Sequence, residues 1–233
     1  MILQGLTVGF LVVGLAAACC ESKDAAAPYG LDEKGAAAQP GAAPAAAAPA
    51  GKDCAREAAL DVLLTRRSIR KYEQKPVPDA MVQKILEAAM EAPSAGNQQP
   101  WRFIVIRDRA LLNDIPSVHP YAGMLKEADL AILVVADVTA EKYPGYFPQD
   151  CSAATENILL AAHAQGLGSV WLGVFPDEER VRAVGQKLGV PANLMPFSLV
   201  AIGWPAEDKG RGGRFDAKRI YLDKWEAPWK PTL

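Results

Sequence analysis

Apolar positions along this chain change period several times, and each change marks an element. After Pro78-Asp79, Val82, Ile85, Leu86 and Ala89 recur at helical spacing, which predicts an amphipathic helix that Pro93 ends. Ala55 to Thr65 reads as an earlier helix. Phe103–Ile106 and Leu130–Val135 are short apolar runs rich in β-branched residues and bounded by polar punctuation, the signature of core strands. Ser169–Val174 and Phe197–Ile202 add two more strands, with a surface helix over Asp177–Leu188 between them. Ser152 to Gln165 is apolar or small on nearly every face, which predicts a helix buried on all sides. Its alanines permit close helix approach, as at a subunit interface. Helices interleaved with short strands predict an α+β fold, a three-layer sandwich with helices on both faces of a small sheet.

The front of the chain follows different rules. Gly5 to Ala18 is an apolar run of roughly 14 residues, the length of a signal-peptide core and short of the ~20 needed to span a bilayer. From Glu21 to about Lys52 the chain is mostly Ala and Pro, with no periodic apolar face, so it reads as a disordered tether that Pro40, Pro44 and Pro49 keep from becoming helical. A coil of ~30 residues reaches ~30 Å, enough to hold a domain off a membrane surface. The expected organisation is a signal peptide over residues 1–18, a tether over 19–53 and one catalytic domain over 54–233, with a C-terminal extension over 216–233.

Half the residues are apolar and the net charge is −2, which supports one good core and gives no reason to expect nucleic acid as a partner. Of the four cysteines, Cys19 and Cys20 close the apolar run, so no disulfide framework is visible. His119 and His163 have no metal-ligand spacing and read as surface or packing residues. No metal site and no nucleophile–base arrangement is readable.

Two short segments carry candidate chemistry. Thr65-Arg66-Arg67-Ser68-Ile69-Arg70-Lys71-Tyr72 gathers three guanidiniums and a hydroxyl, the donor set that grips a phosphate or an electron-rich ring edge. Ala92-Pro93-Ser94-Ala95-Gly96-Asn97-Gln98-Gln99-Pro100-Trp101 falls between a helix and a strand, a loop whose backbone and amides can bond a ligand. Taken singly, cations suit any helix C-terminus and Pro-Ser-Ala-Gly-Asn is an ordinary turn. Their order, joined by one helix, resembles the nitroreductase family of FMN-dependent oxidoreductases, with its Arg-x-Ser-x-Arg-x-aromatic box and Pro-Ser-x-x-Asn-x-Gln-Pro-Trp loop. The likeness continues through Asp150–Gly173 and Pro196–Glu207, and covers roughly Asp53 to Trp225.

That resemblance implies a homodimer binding FMN, with a small-molecule electron donor such as NAD(P)H and an acceptor such as a nitroaromatic or quinone meeting the flavin in turn. Arg66, Arg67 and Ser68 would grip the phosphate and ribityl chain, and Arg70 would face the N1 and C2 carbonyl edge. Pro93, Ser94, Ala95 and Asn97 would reach the flavin of the other subunit; Gln99 and Trp101 match motif positions too. Leu172 and Gly173 match the loop whose backbone N–H faces N5, although many relatives have Glu-Gly there. Arg214 matches the second cation of a further phosphate clamp; its first falls on Gly212, leaving Arg211 or Lys209 to substitute. The tail after Asp216 would embrace the other subunit, which gives Trp225 and Trp229 a place. Dehalogenating, ring-oxidising or flavin-fragmenting relatives share these motifs, and a lipid-anchored binding protein without flavin is the rival of another class. Leu15-Ala16-Ala17-Ala18-Cys19 resembles the lipobox of bacterial lipoproteins, which implies lipidation at Cys19 and export; a misassigned start site would leave the protein cytoplasmic.

Overall fold

The computed structural model describes residues 50–230. The expected signal peptide, Cys19 and nearly all of the tether lie outside the described residues. Helix α1 spans Ala50–Thr65, so it takes in the last residues expected as tether. No proline follows Pro49 there, and Asp53 in the first turn suits the positive end of the helix dipole.

Helix α2 is Asp79–Met90 and buries Val82, Ile85 and Ala89. Strand β1 runs Trp101–Ile106 and begins two residues before the apolar run, because Trp101 is itself buried. Helix α3, Arg109–Asp114, has no counterpart in the hydrophobic pattern; Asp108 caps it by accepting from the Leu111 N–H. Strand β2 is Leu130–Ala136. Helix α4, Phe147–Ala164, starts five residues earlier than Ser152 because Pro148 sits in its first turn, where a proline is tolerated. Strand β3 is Gly168–Gly173, helix α5 Glu178–Lys187 and strand β4 Met195–Gly203.

The four strands form one antiparallel sheet in the order β1-β2-β4-β3. Every residue of β2 is buried, and alternation sorts them: Leu130, Ile132 and Val134 face a core shared with α2 and α4, while Ala131, Leu133 and Val135 face a second core with Leu112, Leu125 and Val184. Helices therefore cover both faces, the α+β arrangement expected. The expectation for α4 is corrected in one respect. Its face of Cys151, Ala154, Ile158 and Ala162 is buried, but Ser152, Ala153, Glu156, Asn157 and Leu160 are only half-buried within one chain.

Strand β3 is an edge, and what lies beyond it places the Arg box. Ser68 forms a parallel bridge with Ser169, with the Ile69 N–H donating to the Ser169 carbonyl at 2.9 Å. Gly168 allows this approach: a Cβ there would lie 2.7 Å from Ile69 Cγ2. Tyr72 anchors the far end of the box, buried, its hydroxyl donating to the Ile69 carbonyl at 2.7 Å. Burial pushes that phenol well above its ordinary range.

Candidate functional site

The cations of the box have different fates. Arg66 leaves the end of α1 with its guanidinium largely covered and its Nε 3.3 Å from Glu156 Oε1. Arg67 Nη1 donates to the carbonyls of Lys209 and Gly210, both at 2.8 Å. Lys209 returns the tie, its Nζ donating to the Ser68 carbonyl at 2.8 Å and pairing with Glu207 at 3.1 Å. Arg70 uses its backbone N–H to bond Glu207 Oε1 at 2.6 Å, and that bond, helped by Lys209, holds the Glu207 carboxyl below its ordinary range. The Arg70 guanidinium is exposed and makes no hydrogen bond or ion pair among the described residues. Arg214 is in the same condition, whereas Arg211 pairs with Asp61 at 2.5 Å.

Arg70 lines a cavity of about 490 Å³ with Leu172, Gly173, Trp171, His119, Tyr121, Met124 and Arg180. Its floor is the end of β3. The Val174 N–H donates to Phe197 at 3.1 Å, so the antiparallel register turns the N–H and C=O of Gly173 away from β4, to the free edge. Its carbonyl accepts from His119 Nε2 at 3.0 Å and from Arg180 Nη1 at 2.8 Å. A Cβ on Gly173 would come no nearer than 4.0 Å to its closest neighbour, so packing within the chain does not require glycine there. The space above it suits a flat ligand pressed against the main chain.

The second segment is organised by a carboxylate. Buried Asp150, in the first turn of α4, accepts from the Ala95 N–H at 2.9 Å and from Gln98 Nε2 at 2.7 Å. Gln98 Oε1 in turn accepts from the N–H groups of Lys142 and Tyr143. The chain between is tightly coiled: Gly96, Asn97 and Gln99 all have left-handed φ, of 54°, 54° and 47°. Two of these are not glycine, a strained arrangement that persists only because the surrounding bonds dictate it. Pro93 and Asn97 are exposed, Ser94 and Ala95 half-buried, and none of them lines the Arg70 cavity. Gln99 is exposed and bonds Asn97, while Trp101 is buried in the core.

The site region lies inside a broader similarity. The profile of the Nitroreductase family matches residues 63–117 and 115–204. The chain belongs to the nitroreductase family. A Methanothermobacter thermautotrophicus protein, named provisionally as an NADH dehydrogenase/NAD(P)H nitroreductase, is 51% identical over 166 residues, 71% of this chain and 87% of that one. A solved nitroreductase-type structure from Desulfovibrio desulfuricans in complex with FMN is 36% identical with a TM-score of 0.62, covering 72% of this chain and 97% of its own. An FMN-dependent nitroreductase from Clostridium difficile is 31% identical with a TM-score of 0.66, covering 71% and 99%. Nitroreductase-like architecture is thus common to this chain and the two solved structures.

Several residues of this candidate site gave no local signal. His119, Tyr121 and Arg180 reach the cavity from two segments that no motif marks, and Gln98 and Asp150 meet across 52 positions. His119 was expected at the surface or in packing; it is buried, and it also holds the carbonyl of Gly173. His163 is half-buried and 2.8 Å from the Thr65 hydroxyl.

Proposed function

We propose that this nitroreductase-family protein is a homodimeric oxidoreductase that holds FMN against Gly173 and passes electrons from one small molecule to another by a ping-pong mechanism. That it is an oxidoreductase and that its cofactor is FMN rest on family membership, with FMN-dependent and FMN-bound relatives above 30% identity. The observation that carries the site is the shared cavity of an unpaired guanidinium, Arg70, and an uncrowded edge glycine, Gly173. When bound, FMN supplies a ring atom, N5, that accepts and returns hydride.

The chain's own residues fit the three parts of that cofactor. Arg214, Arg66 and Arg67 supply positive charge for the phosphate, Ser68 a hydroxyl for the phosphate and ribityl chain, and Arg211 or Lys209 takes the place that Gly212 leaves empty. Arg70 stabilises negative charge at the pyrimidine edge of the ring. Gly173 presents its N–H at the free edge of β3, where N5 would lie. Pro93, Ser94, Ala95 and Asn97 complete the site from a second copy. Two features support that division: this loop does not line the Arg70 cavity of its own chain, and Leu63, Leu64, Phe215 and Trp225 are more than half exposed. Apolar side chains so placed ask for a partner surface. The donor is NAD(P)H or another reductant, and the acceptor a nitroaromatic, quinone or similar molecule.

Purified protein should keep FMN through gel filtration and sediment as a dimer. A colourless protein, or a flavin-loaded monomer, overturns this reading. Location bears on the donor, because the apolar run before Cys19 supports export to a compartment where free NAD(P)H is scarce. We place the protein on a bacterial membrane through Cys19, fed by a non-nicotinamide donor. Cytosolic wild-type protein in a fractionation alongside Cys19→Ala would remove the anchor and restore NAD(P)H.

A further inference from the structure

Glycine at a strand end has more conformational freedom than any other residue, and β3 is an edge with no strand beyond Gly173. Hydrogen bonds to β4 fix its neighbour Val174 on the inner side only. On the outer side, the hydrogen bonds to Gly173 among the described residues are at its carbonyl, which accepts from His119 Nε2 at 3.0 Å and Arg180 Nη1 at 2.8 Å. A carbonyl can only accept, so the imidazole proton is assigned to Nε2.

His119 is the more dedicated of the two donors. Arg180 also pairs with Asp177 at 3.0 Å, whereas the His119 ring makes one hydrogen bond and leaves its buried Nδ1 without a partner. The ring's backbone is itself pinned, its N–H donating to the Ile115 carbonyl and its carbonyl accepting from the Ala122 N–H. A leucine of similar volume would fill this place with no orphaned acceptor, which is a cost of the kind buried polar groups carry. The ring meets Tyr121 edge-on at 6.3 Å between centroids, a contact any aromatic ring could make, so the hydrogen bond to Gly173 is what favours an imidazole here.

We propose that His119 is a positioning residue: its Nε2–H, with Arg180, locks the Gly173 carbonyl and so aims the N–H of the same glycine at N5 of the flavin. The proposal rests on the reading that FMN lies against Gly173. Burial and the nearby Arg180 charge both lower the imidazole's pKa, so the ring is neutral at neutral pH, and the carbonyl acceptor of Gly173 holds its one N–H at Nε2. An N–H aimed at N5 favours the oxidised ring, whose N5 holds a lone pair, over the reduced ring, whose N5 already carries hydrogen.

The test compares wild type with His119→Leu and His119→Gln, measuring FMN affinity by titration of flavin-free protein and the midpoint potential of the bound flavin. The amide nitrogen of His119→Gln reaches the place of Nε2 and should keep the wild-type potential. His119→Leu should bind oxidised FMN more weakly relative to reduced FMN by about threefold to tenfold, a rise of about 15–30 mV for two electrons. Nitrogen NMR of the flavin-free wild type should show the proton on Nε2. If His119→Leu does not fold, His119→Asn serves, because its shorter amide cannot reach Gly173. Bound FMN with the wild-type potential in the variants that lack the donor overturns the role of His119 and leaves the flavin reading intact. Wild type that fails to bind FMN overturns both.

Discussion

The Arg box and the Pro93–Gln99 loop lie on either side of α2, yet their polar groups are used in opposite ways. In the loop, the N–H of Ala95, both ends of the Gln98 amide, both Asp150 oxygens and the Ser94 hydroxyl have partners inside the chain. Along the box, Arg66 and Arg67 are tied down, while the exposed guanidiniums of Arg70 and, further along the chain, Arg214 have no hydrogen bond or ion pair among the described residues. One region has committed its hydrogen bonds to holding a shape; the other holds charge in readiness. In the homodimer proposed above, the loop with its exposed Asn97 and the charged edge with its open glycine would be complementary halves, with exposed Leu63, Leu64 and Trp225 as apolar surface for the contact.

The comparison breaks most visibly at Asp150. Asp150→Ala strands the Ala95 N–H and the Gln98 amide in a buried place and should cost about 2–4 kcal/mol of stability, read as a lowered urea midpoint. A midpoint unchanged from wild type would mean that the strained loop needs no carboxylate. A smaller effect comes from pH. Burial, the first cause for both His119 and His163, lowers their pKa below the ordinary 6.5 in the folded state. The unfolded chain therefore binds more protons near that pH. Stability should be complete above about pH 6.5 and fall as the pH drops from there toward the folded values. Urea midpoints at about pH 7.5 and about pH 5 check this, and equal midpoints would contradict it. The smallest effect on stability belongs to Arg70: Arg70→Ala, at an exposed side chain, should change the unfolding free energy by less than about 0.5 kcal/mol, read from the urea midpoint. In the same variant the FMN potential should fall, since a cation is lost from the edge that becomes anionic. A large stability loss with an unchanged potential would reverse the contrast between the two regions.

Much of this was legible in the residues themselves. The strands announced themselves because β-branched runs such as Ile132–Val135 have no other economical fold, and α2 because its apolar positions keep one period. The early start of α4 was hidden by Pro148, which signals a break unless it falls in a first turn. Helix α3 was hidden by its brevity. The motifs marked where cations and loop atoms would gather, but not which would be free. Arg67 and Arg70 are alike in sequence, and what sets them apart is that residues 207–210 offer carbonyls to the guanidinium of Arg67 but bond only the backbone N–H of Arg70. His119 and Asp150 escaped for the same reason: each acts on a group far away in the chain, and no local spacing records that.

The reciprocal tie between Arg67 and Lys209 constrains how this protein can be altered. Each reaches back to a backbone carbonyl beside the other, so the segment that leads to Arg214 takes its position from the Arg box rather than from the sheet. A relative's box spliced in without its matching downstream segment would misplace Arg214 while leaving every residue at that position unchanged. The two stretches are tied as one unit, and if Arg214 holds the phosphate as proposed above, chimeras or libraries that divide them between parents should retain the cofactor less well even when each half comes from a working enzyme.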